Sequence, residues 1–153
     1  MINALIIMTG LMAGIYFAFS VFIMKSLAGL PATEGAHAMN AINDVIVRSG
    51  FLPLFFLSTL AHMGFAVWTL WYGEGLQAQL SIAAGVVYEA GMFLVTVFGN
   101  VPLNNRLQQS ENNESRLLDV WCEYPTTWTH VNHLRTVVTS LLLTLLVYAN
   151  STP

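Results

Sequence analysis

Four stretches of the chain stay apolar for about the 20 residues that a bilayer core requires. They lie at about 2–24, 51–72, 76–99 and 129–149. The polar segments between them carry turn and helix signals. Leu30-Pro-Ala-Thr33 breaks the first apolar run, and 35–48 then places Ala38, Ile42, Val45 and Ile46 at helical spacing among polar residues. That spacing predicts a short amphipathic helix lying in the membrane interface. Tyr72-Gly-Glu-Gly75 joins the second and third runs and predicts a tight antiparallel hairpin. The longest polar stretch, 100–124, reads as a loop followed by a brief helix over 115–123. The pattern therefore predicts an all-α fold: a four-transmembrane-helix up-down bundle with a short interfacial amphipathic helix.

Each apolar run also carries a thin polar line with spacings near seven and eleven residues, which return a helix to within about 20° of its starting direction. The lines are Thr9, Tyr16 and Ser20; Ser58, His62 and Thr69; Glu89, Thr96 and Asn100; and His133, Ser140 and Thr144. Four such lines predict a polar bundle interior with the apolar surface turned to lipid. Counting residues along each run places Glu89, His62 and Tyr16 near mid-bilayer and Ser20, Asn100, His133 and Arg135 nearer one rim. The expected pocket opens at that rim and has Glu89 and His62 at its floor. An unpaired charge at that depth costs about 3 kcal/mol, so Glu89 must be paired, hydrogen-bonded or protonated.

Composition agrees with this class. Of 153 residues 56% are hydrophobic and 8% charged, against about 25% charged in soluble domains. One domain, 1–153, is the natural count at this length. A net charge of −3 with five Lys and Arg in all leaves no basic surface for nucleic acid. The single cysteine, Cys122, excludes an internal disulfide. No basic residue precedes Lys25, so the first apolar run lacks the positive n-region of a signal peptide and is read as a retained helix. Lys25 and Arg48 fall in the first connection, and Arg106, Arg116 and Arg135 in or beside the third. All the positives lie on one side, which predicts both termini outside, in the cytoplasmic membrane of a prokaryote. The partners expected are membrane lipids, a hydrophobic small molecule, and a further copy or a membrane-complex subunit.

The densest chemistry stands where the fourth run begins, at Trp128-Thr-His-Val-Asn-His-Leu-Arg-Thr136. His130 and His133, three residues apart, share a helix face, and a carboxylate from another helix would complete a site of two histidines and one acid. The depths of Glu89 and His133 disagree, and no metal is assigned. His62 alone fits a satisfied interior histidine as well as a ligand.

Two stretches carry a resemblance. Asn100-Val-Pro-Leu-Asn104 ends the third run, and Trp128 with Asn132-His133-x-Arg135-Thr136 opens the fourth. With Phe19-Ser20 and Met39-x-x-Ile42-Asn43, these resemble the anthrone-oxygenase-like family of small four-helix membrane proteins, over nearly the whole chain. The resemblance implies oxidation of anthrones to anthraquinones by molecular oxygen, with no cofactor: neither a metal nor a flavin is established for the family. A substrate of that kind must lose a proton, which makes His133 the expected base. Arg135 then stabilises the oxyanion, with Asn132, Asn100 and Asn104 donating hydrogen bonds. Trp121, Trp128 and Tyr124 are expected to stack on a ring, and Ser20, Tyr16, His62 and Glu89 to line its pocket. The plainer alternative is that Asn132, His133 and Arg135 tie the fourth helix to a helix end broken at Pro102.

The leading expectation is a membrane oxidoreductase, a cofactor-independent oxygenase of a hydrophobic anthrone- or quinone-like substrate. A second class is a non-catalytic membrane subunit or a lipid- or quinone-binding protein. A third is a small transporter or proton pathway around Glu89.

Overall fold

Inside a bilayer no water reaches backbone N–H and C=O groups, so a chain this apolar satisfies them within helices. The computed structural model describes residues 2–151, apart from the side chains of residues 76 and 77, and among these it has five helices and no strand. Helix α1 is Ile2–Ala28, α2 Ala32–Arg48 and α3 Phe51–Tyr72. Helix α4 spans Ala78–Gln109, its first turn starting at Gly75, and α5 is Glu114–Ser151. All but α2 are long and apolar enough to cross a membrane.

Helix α1 runs antiparallel to α5, with Ser20 against Thr136 near one end and Gly10 against Leu143 nearer the other. The α3–α4 hairpin turns at Gly75, whose φ of 69° lies in the left-handed region open to glycine. Two apolar clusters hold the bundle. One gathers Phe19, Met24, Met39, Leu117 and Trp121 around the α2 end, and the other Leu5, Met12, Tyr88, Met92 and Leu142 around the opposite half.

Three expectations need correction. The third span does not break at Pro102, and the fourth does not start afresh after a loop. Helix α4 continues to Gln109, a short turn follows, and α5 then runs unbroken through Pro125. Pro102 is accommodated because α4 widens to i→i+5 hydrogen bonding over Thr96–Asn100 just before it. The donor that proline lacks therefore falls where the ladder is already changing pitch.

The inward line of α5 is not His133, Ser140 and Thr144, which are all exposed. It is Trp128, Asn132, Arg135, Thr139, Leu142 and Leu146, all buried. Likewise α2 buries Gly35, Ala36, Met39 and Asn40 against the bundle, while Val45 is exposed. Small residues and methionine make the close contact there.

Candidate functional site

Helix α5 spaces Trp128, Asn132, Arg135 and Thr139 three and four residues apart, so one face carries all four into the bundle. Arg135 is only 4% exposed. Its NH1 donates to Thr96 Oγ1 at 3.1 Å and its NH2 to Asn132 Oδ1 at 2.6 Å. The guanidinium carbon stands 4.3 Å from the centre of the Tyr16 ring and 5.4 Å from that of Trp128. Neutral acceptors and ring faces surround the cation. Among the described residues no carboxylate is within ion-pairing distance of it, and the one pair seen, His37–Glu111, lies at the surface. Nε of Arg135 is buried without a partner.

Asn132 fixes this geometry. Its Nδ2 donates to the Tyr16 carbonyl at 2.8 Å and to Ser20 Oγ at 2.7 Å, which leaves Oδ1 for Arg135. Ser20 meets Thr136 Oγ1 at 2.9 Å, and Thr136 donates back to the Asn132 carbonyl. This closed ring of bonds locks the amide in one orientation. Widened helical turns border it at Phe19–Ile23 in α1 and at Glu89–Leu94 and Thr96–Asn100 in α4. Such turns re-aim side chains and concentrate at functional sites. On the other side, Asn104 Oδ1 accepts from Tyr124 Oη at 2.7 Å and from Trp128 Nε1 at 2.8 Å, and Asn100 Nδ2 donates to the Trp128 carbonyl.

Arg135 and Trp128 form one wall of a cavity of about 380 Å³. The remaining walls are apolar, with Phe19, Met39, Phe55 and Phe93 among them, and Tyr16, Asn43, Thr96, Asn100 and Asn104 supply the polar atoms. Four buried polar atoms of lining residues lack a hydrogen-bond partner: Tyr16 Oη, Asn43 Nδ2, Asn100 Oδ1 and Arg135 Nε. The Tyr16 hydroxyl lies beside Thr96 and Arg135 but makes no bond of acceptable geometry with either. Val47, Phe56, Val97 and Val101 line the cavity and are exposed. Its mouth therefore opens sideways between α2, α3 and α4, toward the lipid-facing surface. The titratable side chains lining it are Tyr16 and Arg135.

Of the residues expected at the site, Arg135, Tyr16, Trp128, Asn100 and Asn104 line the cavity, and Asn132 positions Arg135 from behind. The others are placed elsewhere. His133 is exposed and faces a separate depression with His130, Ser20 and Lys25, because two residues along a helix turn a side chain by about 200°. Trp121 is buried, stacks on Tyr124 and fills the space beside Gly35.

His62 and Glu89 do not form the floor. His62 is saturated: Nδ1 donates to the Ser58 carbonyl at 2.7 Å, Nε2 meets Thr9 Oγ1 at 3.0 Å, and its ring stacks on Tyr88 at 3.9 Å. Glu89 is half-buried, with Oε1 unpartnered, and does not line the cavity. The aromatic wall from the start of α3, Phe51, Phe55 and Phe56, was not anticipated. Its signal is the phenylalanine spacing of four and five residues at a helix start.

Among the described residues no three or more His, Cys, Asp or Glu side chains gather as a metal site would require. The model of a family described as anthrone oxygenase matches residues 45–145. That segment includes Asn100, Asn104, Trp128, Asn132 and Arg135, while Tyr16, Met39 and Asn43 of the cavity lie outside it. No curated protein and no solved structure matches the chain.

Proposed function

The chain belongs to the anthrone oxygenase family, and from that premise we propose that its cavity takes up an ionised hydroxyaromatic or quinone-like molecule and oxidises it with molecular oxygen. The observation that carries this reading is Arg135, a buried guanidinium facing an apolar aromatic cavity with no carboxylate beside it. A buried charge without a counterion is costly, and an anion from outside relieves that cost. A planar ring system with one ionised oxygen fits both the aromatic walls and the cation.

In an anthrone the methylene flanked by two rings gives up a proton, and the resulting enolate is electron-rich enough to reduce oxygen. No side chain of ordinary basicity lines the cavity. The substrate therefore loses its proton at the membrane surface and enters as the anion, with Arg135 holding the enolate oxygen. Overall the methylene becomes a carbonyl: one atom of O₂ becomes the new carbonyl oxygen, and the other leaves as water with the two hydrogens removed. The Phe and Trp walls exclude water from the reacting ring. Entry is lateral, from the bilayer, past Phe56 and Val97.

Oxygen uptake by the full chain in mild detergent, with a hydroxyanthrone as substrate, tests this. The expected result is one O₂ consumed per anthraquinone formed, well above the rate in empty micelles and lost in Arg135→Gln. A rate equal to that of empty micelles contradicts oxidation. The absence of a base among the lining residues also favours a second reading, a carrier of such molecules without turnover. Tight, Arg135-dependent binding of the anthraquinone with no oxygen uptake would identify it.

A further inference from the structure

On the other face of α5 from the cavity lies an open depression of about 280 Å³ between α1 and α5. Lys25, His130, His133, Thr126 and Thr129 line it, and no Asp or Glu does. Lys25, His130 and His133 are exposed, and among the described residues neither imidazole has a hydrogen-bond partner; their rings only meet edge-on at 6.5 Å. Glu123, the acid nearest in sequence to this group, lines a different depression with Arg106. Lysine, two imidazoles and two hydroxyls thus converge from two helices, with no anion of the protein's own to balance them.

The level of the depression is informative. Lys25 stands about 35 Å along α1 from Ile2, just beyond the ~30 Å of a hydrocarbon core. The basic groups therefore sit where headgroups lie. One to two turns deeper the same two helices turn exposed apolar side chains outward: Phe17 and Val21 on α1, Val137 on α5. Polar donors at headgroup level above an apolar flank match a molecule with a phosphate at one end and acyl chains at the other.

We propose that this depression is a binding site for the phosphate of an anionic phospholipid, with Lys25, His130 and His133 as its cationic and donor groups. Basic pockets between membrane helices bind such headgroups by this combination of charge and hydrogen bonding. The site is independent of the cavity chemistry.

Native mass spectrometry of the full chain, released from detergent with phosphatidylglycerol or phosphatidylcholine added in equal amounts, tests it. Phosphatidylglycerol is expected to be retained preferentially. Lys25→Gln should weaken that retention about fivefold, the share of one cation at headgroup level, and His130→Ala with His133→Ala, which removes both imidazole donors, should weaken it as well, while Lys25→Arg keeps it. Unchanged melting temperatures of these surface variants exclude misfolding as the cause. Equal retention of the two lipids, or unchanged retention in the Lys25→Gln and histidine-to-alanine variants, overturns the site. Displacement of the lipid by millimolar inorganic phosphate overturns the lipid as its occupant and points to a free phosphate instead.

Discussion

At the scale of single residues the site rests on Arg135 and on the amides that hold it. Replacing it by glutamine removes the charge and keeps a shorter polar group. Affinity for an ionised hydroxyanthraquinone is then expected to fall about tenfold to a hundredfold, the range for a lost bond to a charged group. Lysine restores charge without the planar fork and should recover only part of that loss; equilibrium dialysis of both variants in detergent checks the order. Asn104→Leu strands two buried donors, Tyr124 Oη and Trp128 Nε1. It is expected to destabilise the bundle by about 2–4 kcal/mol, read as a lower melting temperature. Glu89→Gln should leave the melting temperature unchanged or raise it, because Oε1 has no partner to lose and a neutral group is cheaper at that depth. A clear drop in melting temperature would show that Glu89 holds the fold.

Much of the residue-scale picture was legible in the sequence. Asn100, Asn104, Trp128, Asn132 and Arg135 stand out as polar groups at the edge of apolar runs, and they do converge. His133 misled because type was read before phase. One position along a helix is about 100° of rotation, so Asn132 faces inward while its neighbour faces out. The phase was recoverable from the alternating three- and four-residue spacing of Trp128, Asn132, Arg135, Thr139 and Leu142, which mixes polar and apolar residues on one buried face. Reading the polar residues alone lost it. Glu89 and His62 misled in a different way, since depth along a helix says nothing about which neighbour fills the space between.

At the scale of elements, the number of spans and the all-α class followed from apolar length, while the ends of the helices did not. Pro102 reads as a break and the fourth span as starting near 129, yet α4 runs through Pro102 and α5 begins at Glu114 and runs through Pro125. The widened turns that admit Pro102 carry no residue signature of their own, but one of them holds a place where α4 and α5 approach closely. Gly99 marks such a place, since a Cβ there would stand 2.6 Å from Val131 Cγ1. Gly99→Ala must push α4 from α5 beside the Asn100–Trp128 bond. A loss of about 1–3 kcal/mol is expected, the usual cost of overpacking. Thermal melting measures that loss, and weaker hydroxyanthraquinone binding should accompany it. Unaltered melting would mean that the two helices are not held so closely.

At the scale of the whole molecule, four spans enclose a space open to lipid at the side and closed by α2 at one end. Such a shape suits a substrate that partitions into the bilayer before it binds. Val97→Trp at the mouth should slow ligand entry several-fold while leaving equilibrium affinity nearly unchanged, because it fills the path and not the seat beside Arg135. Stopped-flow mixing with ligand-loaded micelles separates the two. Tight binding and turnover call on the same geometry, in which the buried cation selects an anion. The most direct test is calorimetric titration of the full chain with one hydroxyanthraquinone, at one pH that keeps it neutral and another that ionises it. A marked preference for the ionised form is expected in the native chain, and loss of that preference in Arg135→Gln. Equal affinity for both forms, or a preference that survives the substitution, would contradict it.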